Sequence, residues 1–367
     1  MPRIHEVFGY PLTDTSKVAI TNRKACRCPF MDAPCDGGGN RYLSDVDLSK
    51  DKELSAYFNG RRSVPSGVCS IQLKASEAPW VVCPRRLLCL GRKDSGERAG
   101  QSFAQQLLLS KCNYPEGARI GVWSELKMIH TPSGSSGKRF DYTFDYVLMP
   151  IGRVSSEHVC ELLGGSWPRI SAKLQLSGYS MHHERDQYFV DDFPIGKPTI
   201  IEIMTSSTSG GNKSKGSTVP ASFINAIRGK DHTAPGINYR QVWARMVSQL
   251  IVKSEVALNW GGLAFWVLQD NLINYISGST ALDLRSFLSK TAGEVNIIGL
   301  SYGDGFNKRS GLIQLDKGSL YSGPIGPPVT GRGEAYFQDM IKAPVKPPLS
   351  ALMRLLANRS PTAVIHI

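Results

Sequence analysis

The stretch 198-PTIIEIMTSSTSGGNKSKGS-217 decides how this chain is read. Its first part has the length and β-branched content of a buried strand, and it runs straight into a basic, glycine-rich loop. Glu202 sits in the middle of the apolar run, where an uncompensated charge costs several kcal/mol. Period-two alternation puts Glu202 and Met204 on one face and Ile201 and Ile203 on the other. Residues 203–230 contain no acid but include Lys213, Lys215, Arg228 and Lys230.

The flanking segments supply a setting for that carboxylate. Upstream, "FDYTFDYVLMP" reads as a strand with Tyr142, Phe144, Tyr146 and Leu148 on one face and Asp141, Thr143, Asp145 and Val147 on the other. Downstream, "VPASFINAI" reads as a short helix and "NYRQVWARMVSQLIVKSEVAL" as a long amphipathic one. The core stripe of the long helix is Val242, Trp243, Met246, Val247, Leu250 and Ile251, with Arg245, Gln249 and Lys253 recurring at i, i+4 on the other side. "GGLAFWVLQD" is a buried strand. The order is strand with Asp, strand with Glu, basic loop, helix, strand. Two carboxylates converging at the ends of adjacent strands make an oxygen-rich site for Mg²⁺, and the basic loop and helix face supply phosphate contacts. Those parts suit metal-assisted phosphodiester hydrolysis. The competing reading pairs Glu202 with a buried Arg or Lys and leaves the loop merely solvated.

Composition narrows the class of partner. The 367 residues are 41% hydrophobic and 20% charged, as in ordinary globular chains with a real core. Lys and Arg outnumber Asp and Glu by 43 to 31, a formal +12 that favours a polyanionic partner, nucleic acid being the commonest. No run of apolar residues is long enough for a membrane span. The opening "MPRIHEVFGYPLTD" lacks the apolar core of a signal peptide, so a cytoplasmic location with reduced thiols is expected.

Six of the eight cysteines fall between Cys26 and Cys89, in "ACRCPFMDAPC", "SGVCSI" and "WVVCPRRLLC". Cys112 and Cys160 stand alone and read as small buried hydrophobes. In the cluster, Cys28 and Cys35 share a turn, and Cys69 and Cys83 edge two short β-like runs. Four such thiolates can close a tetrahedral site for zinc or iron, structural because no coordination position is left open. Cys26 rivals Cys28, and Cys89 rivals Cys83. Residues 1–95 therefore read as a metal-stapled subdomain, marginal without its ion.

In the order "EVFGYPL", "CPF", "GVC", "VVCPRRLL", "TFDYVL", "IIEIMTSS", "WARMVSQLIVKSE" and "GGLAFWVLQ", the chain resembles the NotI-type type II restriction endonucleases, a branch of the PD-(D/E)XK nucleases. The resemblance covers most of the chain up to about residue 270. It implies an α/β fold, a restriction-endonuclease-like mixed sheet flanked by helices with a small N-terminal four-cysteine metal-binding subdomain. The endonuclease core then spans 96–330 with an insertion at about 153–197, and 331–367 is a Pro-rich C-terminal extension with a short helix. The implied activity is that of a prokaryotic, Mg²⁺-dependent homodimer cutting both strands of a palindromic site in double-stranded DNA. The implied ligands of a structural iron are Cys28, Cys35, Cys69 and Cys83. Asp145 and Glu202 are the implied metal acids, with Asp141 the substitute for Asp145.

Met204 stands where the family pattern has Lys or Gln. Its side chain cannot polarise water, although its carbonyl can still meet a metal. The missing cation must come from elsewhere, and Lys213, Lys215, Gln249 and Lys253 are the candidates. Ser206, Ser207, Thr208, Lys213 and Lys215 form the loop expected to approach DNA. The alternative is a catalytically weak or inactive metal-stapled DNA-binding protein, and a repair or RNA nuclease on the same core is a third class.

Overall fold

In the computed structural model, the described residues are 1–38, 45–91, 103–131, 139–279, 284–302 and 346–366. Short strands and tight turns build the N-terminal part. β1 (Arg3–Val7) and β2 (Tyr10–Pro11) form a hairpin, and α1 (Lys17–Ala25) starts at Ser16, whose side chain caps the Ala19 amide. The helix stops because Cys26 turns left-handed at φ 54°. β3 (Arg27–Cys28) pairs with β4 (Ala33–Pro34), and β5 (Asp45–Asp47) pairs with β6 (Ser63–Pro65) around α2 (Lys52–Tyr57). β7 (Val68–Gln72) and β8 (Trp80–Val81) complete a sheet ordered β2-β1-β7-β8, and α3 (Pro84–Leu87) leads out of it.

A mixed sheet of eight strands forms the centre of the molecule. After α4 (Phe103–Leu109) come β9 (Arg119–His130) and the long β10 (Phe140–Ser155), paired antiparallel from Phe140↔His130 to Pro150↔Ile120. Residues 153–197, poorly periodic in sequence, are ordered here as α5 (Ser156–Leu163), α6 (Trp167–Leu176) and a hairpin of β11 (Met181–Glu184) and β12 (Gln187–Pro194), whose second strand pairs with the end of β10. β13 (Thr199–Met204) then runs antiparallel to β10. α7 (Val219–Ile227) and α8 (Tyr239–Asn259) cross over to β14 (Leu263–Gln269), which lies parallel to β13. α9 (Asp270–Ser279) leads on to β15 (Asn296–Leu300), parallel to β14. The tail returns through α10 (Leu349–Leu356) and closes the far edge as β16 (Ala363–His366) against β9. The described part of the C-terminal segment is thus woven into the sheet. The Pro/Gly-rich stretch 322–336 lies outside the described residues.

Two apolar layers sandwich this sheet. On one face, Tyr146, Leu148, Ile201, Ile203, Phe265 and Val267 pack with Leu87, Leu90 and Leu108. On the other, Val147, Met149, Ile200 and Ala264 pack with Val252, Val256 and Ala257 of α8 and with Leu352, Met353 and Leu356 of α10. The N-terminal part does not keep a core to itself. Val7, Phe8, Trp80 and Val82 share one cluster with Met204, Phe223, Val242, Met246 and Trp266. Gln269 fastens the join, accepting from the Val81 amide at 2.9 Å and donating to the Pro79 carbonyl at 2.7 Å.

Two expectations of phase are corrected. Simple alternation along β10 breaks at Asp145: Phe140 and Phe144 share a cluster with Val147 and Met149, whereas Tyr146 and Leu148 lie on the opposite face. Across from the break, Glu125 of β9 has φ 51°, a left-handed kink within a strand. On α8 the buried face in the second half is Val252, Lys253, Val256 and Ala257, while Trp243, Val247, Leu250 and Ile251 are half-buried. Lys253 therefore belongs to the core face and not to the solvent side with Arg245.

Candidate functional site: a buried acid pair and its lysine

The pairing of β10 with β13 stops at Tyr146↔Ile201. Where the next rung would form, Asp145 turns its side chain inward, and Oδ2 accepts the Ile203 N–H at 2.8 Å. The carboxylate replaces a ladder bond, so the strands part without leaving that amide unsatisfied. Glu202 precedes Ile203 and is only 3% exposed. Asp145 and Glu202, 57 apart in sequence, thus meet through one shared backbone unit, because antiparallel register carries each to the same rung.

The cation comes from α8. Lys253, 2% exposed, sends Nζ to Glu202 Oε2 at 2.5 Å and to the Thr143 carbonyl at 2.7 Å, and lies 5.6 Å from the centre of the Phe144 ring. The reading of Glu202 as a buried ion pair is therefore realised, but incompletely. Its second oxygen, Oε1, is buried without a hydrogen-bond partner. An unmatched carboxylate oxygen at that depth is costly unless something positive or protic meets it.

Protonation follows from the surroundings. Burial pushes the Glu202 carboxyl up to about 8; Lys253 and the Asp145 N–H oppose the rise, and the Asp145 carboxylate adds to it. Burial also raises Asp145, against the Ile203 N–H, Lys253 and Arg85, all of which favour its anion. Two carboxyl groups face one ammonium, so near neutrality the site retains a proton that a divalent cation would displace.

The remaining sequence candidates distribute as follows. Asp141 lies four residues before Asp145 on β10 and pairs with Arg139 at 2.8 Å and Lys127 at 3.4 Å. Met204 packs its side chain into the apolar core shared with the N-terminal part. Gln249 is half-buried one turn before Lys253. α8 runs opposite to β13, since the Asn238 amide at its start bonds the Ser207 carbonyl and Gly262 just after its end meets Pro198. Lys253, Gln249 and Arg245 therefore step from Glu202 toward the basic loop, about 6 Å per step. In that loop Ser206 is buried and its amide bonds the Val81 carbonyl, so its side chain is not a surface contact as expected from sequence. Ser207 and Thr208 are half-buried, and Thr208 bridges to Ile237. Lys213 and Lys215 are exposed at the tip.

The cysteines gather as well. Cys69 and Cys83 share a hydrogen bond that favours the thiol on Cys69 and the thiolate on Cys83, and Cys28 and Cys35 lie within electrostatic reach of Cys83. Each sulfur faces backbone donors: Gly9 to Cys69 at 3.2 Å, Phe30 and Met31 to Cys28, Gly37 to Cys35, Arg85 and Arg86 to Cys83. Burial nevertheless dominates at two of them, pushing the Cys28 thiol up to about 11 and the Cys35 thiol up to about 12 against the donors, which favour thiolate. Gly38, at φ 57°, closes over the cluster so tightly that a Cβ there would fall 2.5 Å from Cys83 Sγ. Cys26, by contrast, is buried in the apolar core beside Arg61, and burial holds its thiol up at about 11. Cys89 lies within electrostatic reach of Cys28. Among the described residues, no three His, Cys, Asp or Glu side chains stand in a metal-binding arrangement. The donor chemistry fits a thiophilic ion.

Sequence reading missed Glu125 and Arg85. Glu125 gives no periodic signal, being one exposed acid in a strand, and Arg85 is hidden within "CPRRLL". No helix among the described residues is long and apolar enough to cross a membrane. No family model matches the chain, and no curated protein matches it.

Proposed function

We propose that the protein is a Mg²⁺-dependent endonuclease that hydrolyses phosphodiester bonds in double-stranded DNA, of the restriction-endonuclease type that its sequence resembles. The observation that carries this reading is the convergence of Asp145, Glu202 and Lys253 where β10 and β13 part. Asp145 and Glu202, the latter with its unmatched Oε1, are the groups that would hold Mg²⁺. When bound, the ion supplies Lewis acidity toward the phosphoryl oxygen and a lowered water pKa.

The chain's own groups do the rest. Lys253 stands in for the Lys or Gln absent at position 204. It balances the acid pair and holds an ammonium beside the place where negative charge develops on phosphate. Its second bond, to the Thr143 carbonyl, fixes its direction. Gln249 and Arg245 continue the line toward the loop, where Lys213 and Lys215 present positive charge to a polyanionic backbone. Asp141, held by two surface cations, is left out of this assignment. Cys28, Cys35, Cys69 and Cys83 would hold one structural iron or zinc, and a homodimer would account for symmetric cuts at a palindrome. The inactive alternative rests on Met204; the cation that Lys253 brings to Glu202 is what favours the catalytic reading over it.

The test is incubation of the purified protein with a mixed-sequence plasmid and Mg²⁺. Discrete fragments are expected, absent in Glu202→Ala and in Lys253→Ala. Intact plasmid with every divalent metal, together with site-specific DNA retention, would instead establish the binding-module alternative.

A further inference from the structure

Arg85 lies two residues after Cys83 and is 17% exposed in its side chain. Its guanidinium is shared among three partners from three parts of the chain. Nε and Nη2 reach Asp36 Oδ2 at 3.1 and 3.0 Å, Nη2 reaches Glu125 Oε1 at 3.1 Å, and Nη1 reaches the Tyr146 hydroxyl at 3.3 Å. Asp36 directly follows Cys35, and its other oxygen caps the Gly38 amide at 2.9 Å, so it belongs to the loop that closes over the sulfurs. Tyr146 is the residue after Asp145. Glu125 is the left-handed residue of β9 across from the break at Asp145. One side chain thus holds the cysteine loop at one end and, at the other, the residue after Asp145 and the residue across the strand pair from it.

Resting on the nuclease reading, we propose that Arg85 is a positioning residue of the acid pair: through its bonds to Asp36, Glu125 and Tyr146, the cysteine loop sets where Asp145 stands relative to Glu202. A planar guanidinium fits this use, since its fork meets several acceptors in fixed directions that an ammonium cannot reproduce. The alternative is that Arg85 only ties the N-terminal part to the sheet. That join is already made by the shared apolar cluster and by Gln269, so loss of the Arg85 network leaves the fold intact and displaces Asp145.

The experiment is titration calorimetry of the DNA-free full chain with Mg²⁺ alone, on wild type, Arg85→Lys, Asp36→Asn and Glu125→Gln. Thermal unfolding and iron and zinc content are measured in parallel. Asp36→Asn keeps an oxygen for the Gly38 amide and replaces the acceptor facing Arg85 with an N–H donor, so the Asp36–Arg85 contact is lost. Expected is a loss of Mg²⁺ affinity of about fivefold to tenfold in Asp36→Asn and Arg85→Lys, with unfolding temperature and metal content of the cysteine site unchanged. The arrangement also predicts that Asp36→Asn lowers kcat for plasmid cleavage without raising KM for DNA, because Asp36 belongs to the cysteine loop. Wild-type Mg²⁺ affinity in all three folded variants overturns the role of Arg85 and leaves the nuclease reading standing. A wild-type chain that takes up no Mg²⁺ and also leaves plasmid intact overturns both.

Discussion

Lys253 Nζ stands 2.5 Å from Glu202 Oε2, and both side chains are almost wholly enclosed. A helix residue and a strand residue meet there because α8 lies across β13 on its return to β14. The pair is asymmetric in its needs: the lysine also has the Thr143 carbonyl, whereas Glu202 Oε1 is buried without a close hydrogen bond. Removing one partner therefore differs from removing both.

Lys253→Met leaves the buried Glu202 carboxyl without its partner and is expected to destabilise the protein by about 1 to 3 kcal/mol near neutral pH, the cost of an unmatched buried polar group. Adding Glu202→Gln to it should recover most of that loss while cleavage stays absent. Urea unfolding of the single and double variants checks this, and additive losses would deny the coupling.

Stability of the metal-free protein should fall as pH rises. Glu202 is protonated more readily in the folded chain, near 8, than at its ordinary 4.5, so the native state binds the extra proton and unfolding becomes easier between those values. Mg²⁺ should flatten the slope, because a cation replaces the proton. Thermal melts across pH 5 to about 9, with and without Mg²⁺, read it out; Glu202→Gln should melt with a weaker dependence, the share of Asp145 remaining.

The sulfur cluster distinguishes its members by position. Cys69→Ser and Cys83→Ser should lower bound iron or zinc and stability together, while Cys26→Ser leaves metal content unchanged because that thiol sits in the apolar core. Gly38→Ala should behave like a ligand loss, since its methyl would press on Cys83 Sγ and its φ of 57° disfavours a side chain. Elemental analysis of each variant decides.

Lys213→Ala with Lys215→Ala should weaken DNA binding across all sequences and reduce the salt slope by about one per lysine. Both are exposed, so unfolding should not change. A fluorescence titration at several salt concentrations measures it, and an unaltered slope would place the phosphate contacts elsewhere.

The sequence by itself determined the core elements and marked the candidate acids, with Asp141 as the substitute for Asp145. The apolar run around Glu202, the helix over residues 219–227, the long helix after it and the buried strand beginning in "GGLAF" follow from local periodicity, which reports burial along one element. Only the tertiary structure decided what each face meets. The slip at Asp145 depends on where β13 stops pairing, and the burial of Lys253 depends on α8 lying over Glu202. A lysine at i, i+4 from Gln249 reads as solvated until a carboxylate from another strand is beneath it. The grip of Arg85 on Asp36, Glu125 and Tyr146 joins residues 36 to 146, and no local pattern encodes a contact whose partners are brought together only by the closed sheet.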